Sequence, residues 1–123
     1  MIFKNIFQLQ LLLSFLIFLT SCSDPDISLV QDGEFNSCSG ITVGEMADAY
    51  LSTPNWESIV ADDGRTYVNL RGGMTYDGEP ANALIQFKIR GDEFMVNAVE
   101  MDDEPLEEYV IEILISEMCE EAF

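Results

Sequence analysis

Between residues 56 and 101, apolar and polar side chains alternate in four runs: Trp56–Ala61, Thr66–Tyr76, Asn82–Arg90 and Glu93–Met101. A period of two is the signature of a half-buried strand. Asp63-Gly64, Asp77-Gly78 and Gly91-Asp92 separate the runs and supply the positive-φ positions that tight hairpin turns need. The pattern therefore predicts a four-stranded antiparallel meander. Gly72-Gly73, in the middle of the second run, predicts a bulge or a point where a helix lies close to the sheet.

The period changes on either side of the meander. Val43, Met46, Ala47, Tyr50 and Leu51 recur at helical spacing, and Thr42 with Glu45 fits a capping box in which each residue satisfies an orphan amide of the first turn. Pro54 ends this helix, since it cannot continue one and disfavours helical geometry in Thr53. A second helix is predicted from Asp103-Glu104-Pro105, with Pro105 at an early position and acids in the first turn. Leu106, Tyr109, Val110, Ile113, Leu114 and Met118 form its apolar stripe, which runs on through Cys119. The predicted fold is α+β: helix, four-stranded antiparallel meander, C-terminal helix, with both helices on one face of the sheet.

Alternation also assigns the sheet faces. Val68, Leu70, Met74 and Tyr76, then Ile85, Phe87 and Ile89, then Phe94, Val96 and Ala98 make the core side. Trp56, Tyr50 and Phe87 read as core aromatics. The opposite side carries Asn69, Arg71, Gln86, Lys88, Arg90 and Asn97, which is the candidate binding face because three cations project from adjacent strands of a very acidic chain. Cross-strand balancing of neighbouring acids accounts for the same residues without any ligand.

Ahead of the domain, Met1 to Asn5 hold one cation, Lys4, and no acid, and residues 6 to 19 are apolar apart from Gln8, Gln10 and Ser14. That is the layout of a signal peptide. Its stretch from Leu11 to Leu19, broken only by Ser14, would rise about 14 Å as a helix, against about 30 Å for a bilayer core, so cleavage is expected rather than spanning. The run Leu19-Thr20-Ser21-Cys22 at its end resembles the lipobox of bacterial lipoprotein precursors, matching all four positions. The resemblance covers the leader alone. It implies removal of residues 1–21, a diacylglyceryl thioether on Cys22, a membrane partner reached only through lipid, and residence in the cell envelope. Ser23 after the lipidated position favours the outer membrane facing the periplasm over the inner membrane, by the sorting rule of enteric lipoproteins. Residues 22–37 read as an acidic tether and 38–123 as the globular domain.

Charge narrows the partners. The chain has 23 acids, five Lys plus Arg and no His. Without the leader, which contributes Lys4 alone, four cations face the same 23 acids and the net charge is −19. Such a surface repels nucleic acid and anionic headgroups. An envelope protein is the expected partner. Eight Phe and 48% hydrophobic residues nevertheless place the chain among folded proteins.

About 100 residues bury only roughly 60 to 65% of their chain surface, so a staple is useful. Cys38 and Cys119 flank the folded region in a compartment that permits disulfides, and their pairing is predicted. No metal or cofactor is expected: neither Asp62-Asp63 nor Asp102-Asp103-Glu104 has the ligand spacing of an EF-hand loop, and both are assigned to turns and helix capping. Ser and Thr nucleophiles lack a His to activate them, and the chain reads as a non-enzyme. The expected role is a binding or scaffolding module. The alternatives are a small-ligand carrier with a pocket between sheet and helices, or a soluble secreted domain of the inhibitor-like kind.

Overall fold

The computed structural model describes residues 24–123; Cys22 and the leader lie outside them. Among the described residues, three helices and a five-stranded antiparallel sheet form an α+β domain. The elements are α1 (Pro25–Gln31), α2 (Val43–Tyr50), β1 (Ser52–Val60), β2 (Thr66–Tyr76), β3 (Glu79–Arg90), β4 (Glu93–Met101), β5 (Glu104–Pro105) and α3 (Glu108–Ala122). Strand order in the sheet follows chain order, β1-β2-β3-β4-β5.

The stretch expected as a tether begins with a helix instead. The Asp24 carboxylate accepts hydrogen bonds from the N–H groups of Asp26 and Ile27, at 2.9 and 3.2 Å. Pro25 follows in the first turn, where its missing N–H costs nothing. Val30 is fully buried. Gly33 then runs beneath the ring of Phe94, in space that a Cβ would need, and its carbonyl accepts from the Val43 N–H at 2.8 Å. The packed domain therefore takes in α1 and does not begin at Cys38.

At α2 the capping box forms as predicted. The Thr42 hydroxyl accepts from the Glu45 N–H at 3.1 Å, and the Glu45 carboxylate accepts from the Thr42 N–H at 3.0 Å. The bonds from Thr42 backbone and hydroxyl hold the Glu45 carboxyl below the usual carboxylate range. A depressed value means that the stabilising contact is present above the ordinary carboxylate pKa and is lost as pH falls through the lowered one. Thr42→Ala is expected to cost about 1 kcal/mol at neutral pH. In urea titrations, the gap between variant and parent should narrow as pH falls below the ordinary carboxylate range and Glu45 protonates.

Cross-strand pairs define the faces. Val68 pairs with Phe87, Leu70 with Ile85 and Gly72 with Ala83; Ile85 also pairs with Val99 and Phe87 with Val96. These residues meet Val30, Val43, Met46, Ala47, Leu114, Ile115 and Met118 in one core, so the helices cover a single face of the sheet. Gly72 lies under Leu51, the residue that ends α2: a Cβ there would sit 2.8 Å from Cβ of Leu51. The register shift of β1 between Ser52 and Asn55 lies opposite the same glycine pair, so the pair marks both an irregular pairing and the close approach of the chain leaving the helix.

Three details depart from the pattern-based expectation. In β4, Gln86 pairs with Ala98 but Phe87 pairs with Val96, leaving Asn97 as an extra residue in a bulge. The bulge reverses the phase, so Val99 and Met101 face the core and Ala98 does not. The run Asp102-Asp103 is a two-residue turn with both residues at positive φ, 49° and 69°. It adds β5, and Pro105 lies in that strand rather than in a helix. The Asp102 carboxylate is held there by the Asn82 N–H at 2.9 Å. Helix α3 consequently starts later, with Glu107 at the N-cap position and no side-chain cap bond, and its buried face is Ile111, Leu114, Ile115 and Met118. Tyr109 and Ile113, expected inside, are 63% and 54% exposed. Finally, β1 begins at Ser52 and passes through Pro54, with its register broken between Ser52 and Asn55 and Thr53 at φ 51°. Proline is tolerated there because β1 is an edge strand.

The predicted bridge is present. Cys38 and Cys119 are disulfide-bonded, with a Cα separation of 5.9 Å across 81 residues of chain. It fastens the α1–α2 connection to the last turn of α3. A second tie joins α2 to α3: the Tyr50 hydroxyl donates to the Glu117 carboxylate at 3.1 Å. Burial first, then that bond and the charges of Glu117 and Glu121, push the Tyr50 hydroxyl up from its ordinary range.

Candidate functional site

The six residues proposed from sequence lie together on the sheet face turned away from the helices, and half of them are occupied with one another. Gln86 Nε2 donates to Asn69 Oδ1 at 3.1 Å, and Asn97 Nδ2 donates to Gln86 Oε1 at 2.8 Å. This amide ladder crosses β2, β3 and β4. Asn69 is buried within it, 6% exposed. The cations stand at its two sides. Arg71 is opposite Leu84 and Lys88 opposite Tyr67, while Arg90 is opposite Glu93. Among the described residues the one ion pair is Arg65 with Asp63, at 3.6 Å and well exposed. The face is thus a satisfied polar surface with its charges spread along the strands.

A concave site lies elsewhere, along the edge of β4. Strand β5 pairs only with Glu100 and Met101, and the Leu106 N–H extends the contact to the Val99 carbonyl at 2.9 Å. After Leu106 the chain turns away into α3. Among the described residues, positions 93 to 98 of β4 have no strand neighbour on that side. Between this edge and α3 runs a groove of about 980 Å³, floored by Phe35, Val96, Val99, Leu106, Ile111 and Ile115. Glu108, Glu112 and Glu120 of α3 stand along its rim, and the exposed ring of Phe123 closes one end. A second groove of about 660 Å³ continues past Phe35 and Val96 toward the β3–β4 turn, where Glu34, Asp92 and Glu93 line it. No Lys or Arg lines either groove.

An aromatic cluster packs beneath this floor. Phe35 stacks on Phe87 with centroids 6.3 Å apart and meets Phe94 edge-on at 6.1 Å. Phe87 also stacks on Trp56 at 6.4 Å. Cys38 donates its N–H to the Phe35 carbonyl at 3.0 Å, so the disulfide and the ring cluster hold the same loop.

Sequence patterning missed this site because it depends on where β5 stops and on the rotational phase of α3. Each turns on one residue: Asp103 adopting positive φ, and Glu107 rather than Pro105 opening the helix. Two acidic residues at positive-φ turn positions were the available signal, since Asp tolerates that region better than most residues. No protein-family model, no curated protein and no solved structure matches the chain.

Proposed function

We propose that the mature protein is a lipid-anchored envelope lipoprotein whose domain acts as a non-enzymatic binding module. The observation that carries the anchor is the join between leader and fold. Leu19-Thr20-Ser21-Cys22 follows the apolar run at the position where a lipobox belongs, and the described fold begins at Asp24, whose carboxylate caps α1. Cutting ahead of Cys22 leaves every described element intact. Two or more acyl chains on Cys22 and its amine supply stable attachment, at about 0.8 kcal/mol for each buried methylene.

Because α1 starts at Pro25, only Ser23 and Asp24 separate the anchor from the helix. Three residue steps reach about 10 Å. The domain then rides against the headgroups instead of swinging on a long leash, and its many acids orient it away from an anionic surface. What supports binding rather than chemistry is the groove between β4 and α3: an apolar floor, an unpaired strand edge and a rim of one charge sign are recognition features.

Cys22→Ser decides the anchor. The parent should partition into the detergent phase on phase separation with a cloud-point detergent, and its residue-22 peptide should carry a mass increase of acyl chains. The serine variant is expected to lose both. Equal partition of variant and parent, with normal processing, removes the proposal.

A further inference from the structure

We propose that the free edge of β4 receives an extended, lysine- or arginine-bearing segment of a partner protein as an added strand, with alternate side chains seated in the groove beneath α3. This rests on the domain being a binding module and supplies the chemistry of its partner. Strand β5 already shows that the edge pairs antiparallel, at Glu100 with Pro105 and Met101 with Glu104. An incoming segment continues that line over residues 93 to 98. In a ladder, alternate residues turn their N–H and C=O toward each neighbour, so six residues offer about three such donor and acceptor sets. Main-chain pairing supplies affinity in this mode and the side-chain pockets supply selectivity.

Charge selects the occupant. The two adjoining grooves along the edge present Glu34, Asp92, Glu93, Glu108, Glu112 and Glu120 and no cation. An incoming segment places every second side chain toward this floor and rim. Apolar groups fit against Val96, Val99, Ile111 and Ile115, and long basic side chains reach the α3 carboxylates with their charged ends while their stems stay on the apolar floor. A second copy of the chain is the wrong partner. Pairing β4 with β4 brings Asp92, Glu93 and the α3 glutamates of two strongly acidic molecules together, which works against self-pairing. A basic strand turns the same acids into attraction.

The test uses the full-length chain purified in a non-ionic detergent and a fluorescein-labelled decapeptide of alternating lysine and valine. Fluorescence anisotropy should show saturable binding that weakens as salt rises, and hydrogen exchange should show new protection at residues 93 to 98. The variant Glu108→Gln/Glu112→Gln/Glu120→Gln, altered only at exposed positions, is expected to bind roughly tenfold more weakly. A peptide of the same charge, N-methylated at alternate residues to remove its ladder donors, should lose at least about tenfold. Equal binding of the N-methylated peptide rules out strand addition, and equal binding to the glutamine variant rules out the acidic rim. Protection on the Arg71 and Lys88 face instead of β4 overturns the groove while leaving a binding module in place. Sedimentation of the unliganded chain as a dimer with residues 93 to 98 already protected assigns the edge to a second copy and overturns the proposal. Membrane partition of Cys22→Ser is independent of all these readouts, so failure of the anchor and failure of the groove are told apart.

Discussion

Removing the Cys38–Cys119 bridge is expected to lower the thermal midpoint by about 15 to 30 °C. The bond closes 81 residues of chain. In the chain-entropy description, a loop of that length is worth about 4.5 kcal/mol through restriction of the unfolded state, an upper figure. A domain of this size is stable by only about 5 to 15 kcal/mol, so the loss is a large share of the total. Alanine is the replacement of choice, because Cys38 is 2% exposed and a serine hydroxyl there would enter an apolar site. Differential scanning calorimetry of Cys38→Ala/Cys119→Ala, beside the parent with and without reductant, checks the value. The reduced parent should fall close to the variant, and the variant should not respond to reductant. A shift under about 4 °C would mean that packing of α3 on α2, with the Tyr50–Glu117 bond, already holds the C-terminal helix without the staple.

How much of this was legible beforehand differs by element, and the differences have physical causes. The meander was readable because its turns carry strong local signals: Asp77-Gly78 takes positive φ at both positions, which fixes a two-residue hairpin between Tyr76 and Glu79. Helix α2 was readable because a capping box is a local device, complete within four residues. The bridge was readable because Cys38 and Cys119 stand at the two ends of the patterned region. What escaped were features whose cause is not local. Helix α1 has only seven residues, too few to show a period, and it is stable because Val30 is buried by the sheet and α2. The phase of β4 depends on one inserted residue, Asn97, and a one-residue shift exchanges the two faces of a strand. That is why Ala98 was placed inward and Val99 was not. The stripe of α3 was displaced for a similar reason. A helix starting at Pro105 favours Tyr109 and Ile113, whereas the ladder of β5 and the later start after Glu107 turn Ile111 and Ile115 inward. The groove inherits both shifts, so no single-residue motif announced it.

Phe87→Ala is expected to destabilise the domain by about 3 to 5 kcal/mol, the range for deleting a buried aromatic ring. The ring is 1% exposed and pairs across strands with Val68 and Val96. It is also the meeting point of three others, Phe35, Trp56 and Phe94, at centroid distances of 6.3, 6.4 and 5.9 Å. No single neighbour can move to fill the void without breaking its own packing. Phe87→Leu keeps most of the volume and should cost about half as much. Urea denaturation followed by Trp56 fluorescence measures both, since the indole stacks directly on the deleted ring. The effect should also couple to the bridge, because Phe35 and Cys38 share one loop held by ring stacking at one end and by the disulfide at the other. Residues that secure the same segment lose energy non-additively. Once Phe87 is gone, removing the bridge is therefore expected to cost less than in the parent, by about 0.5 to 1.5 kcal/mol in a double-mutant cycle. Strict additivity would show that the loop is fixed by something other than these two contacts, and Phe35 would then not be the rigid floor that the β4 groove requires.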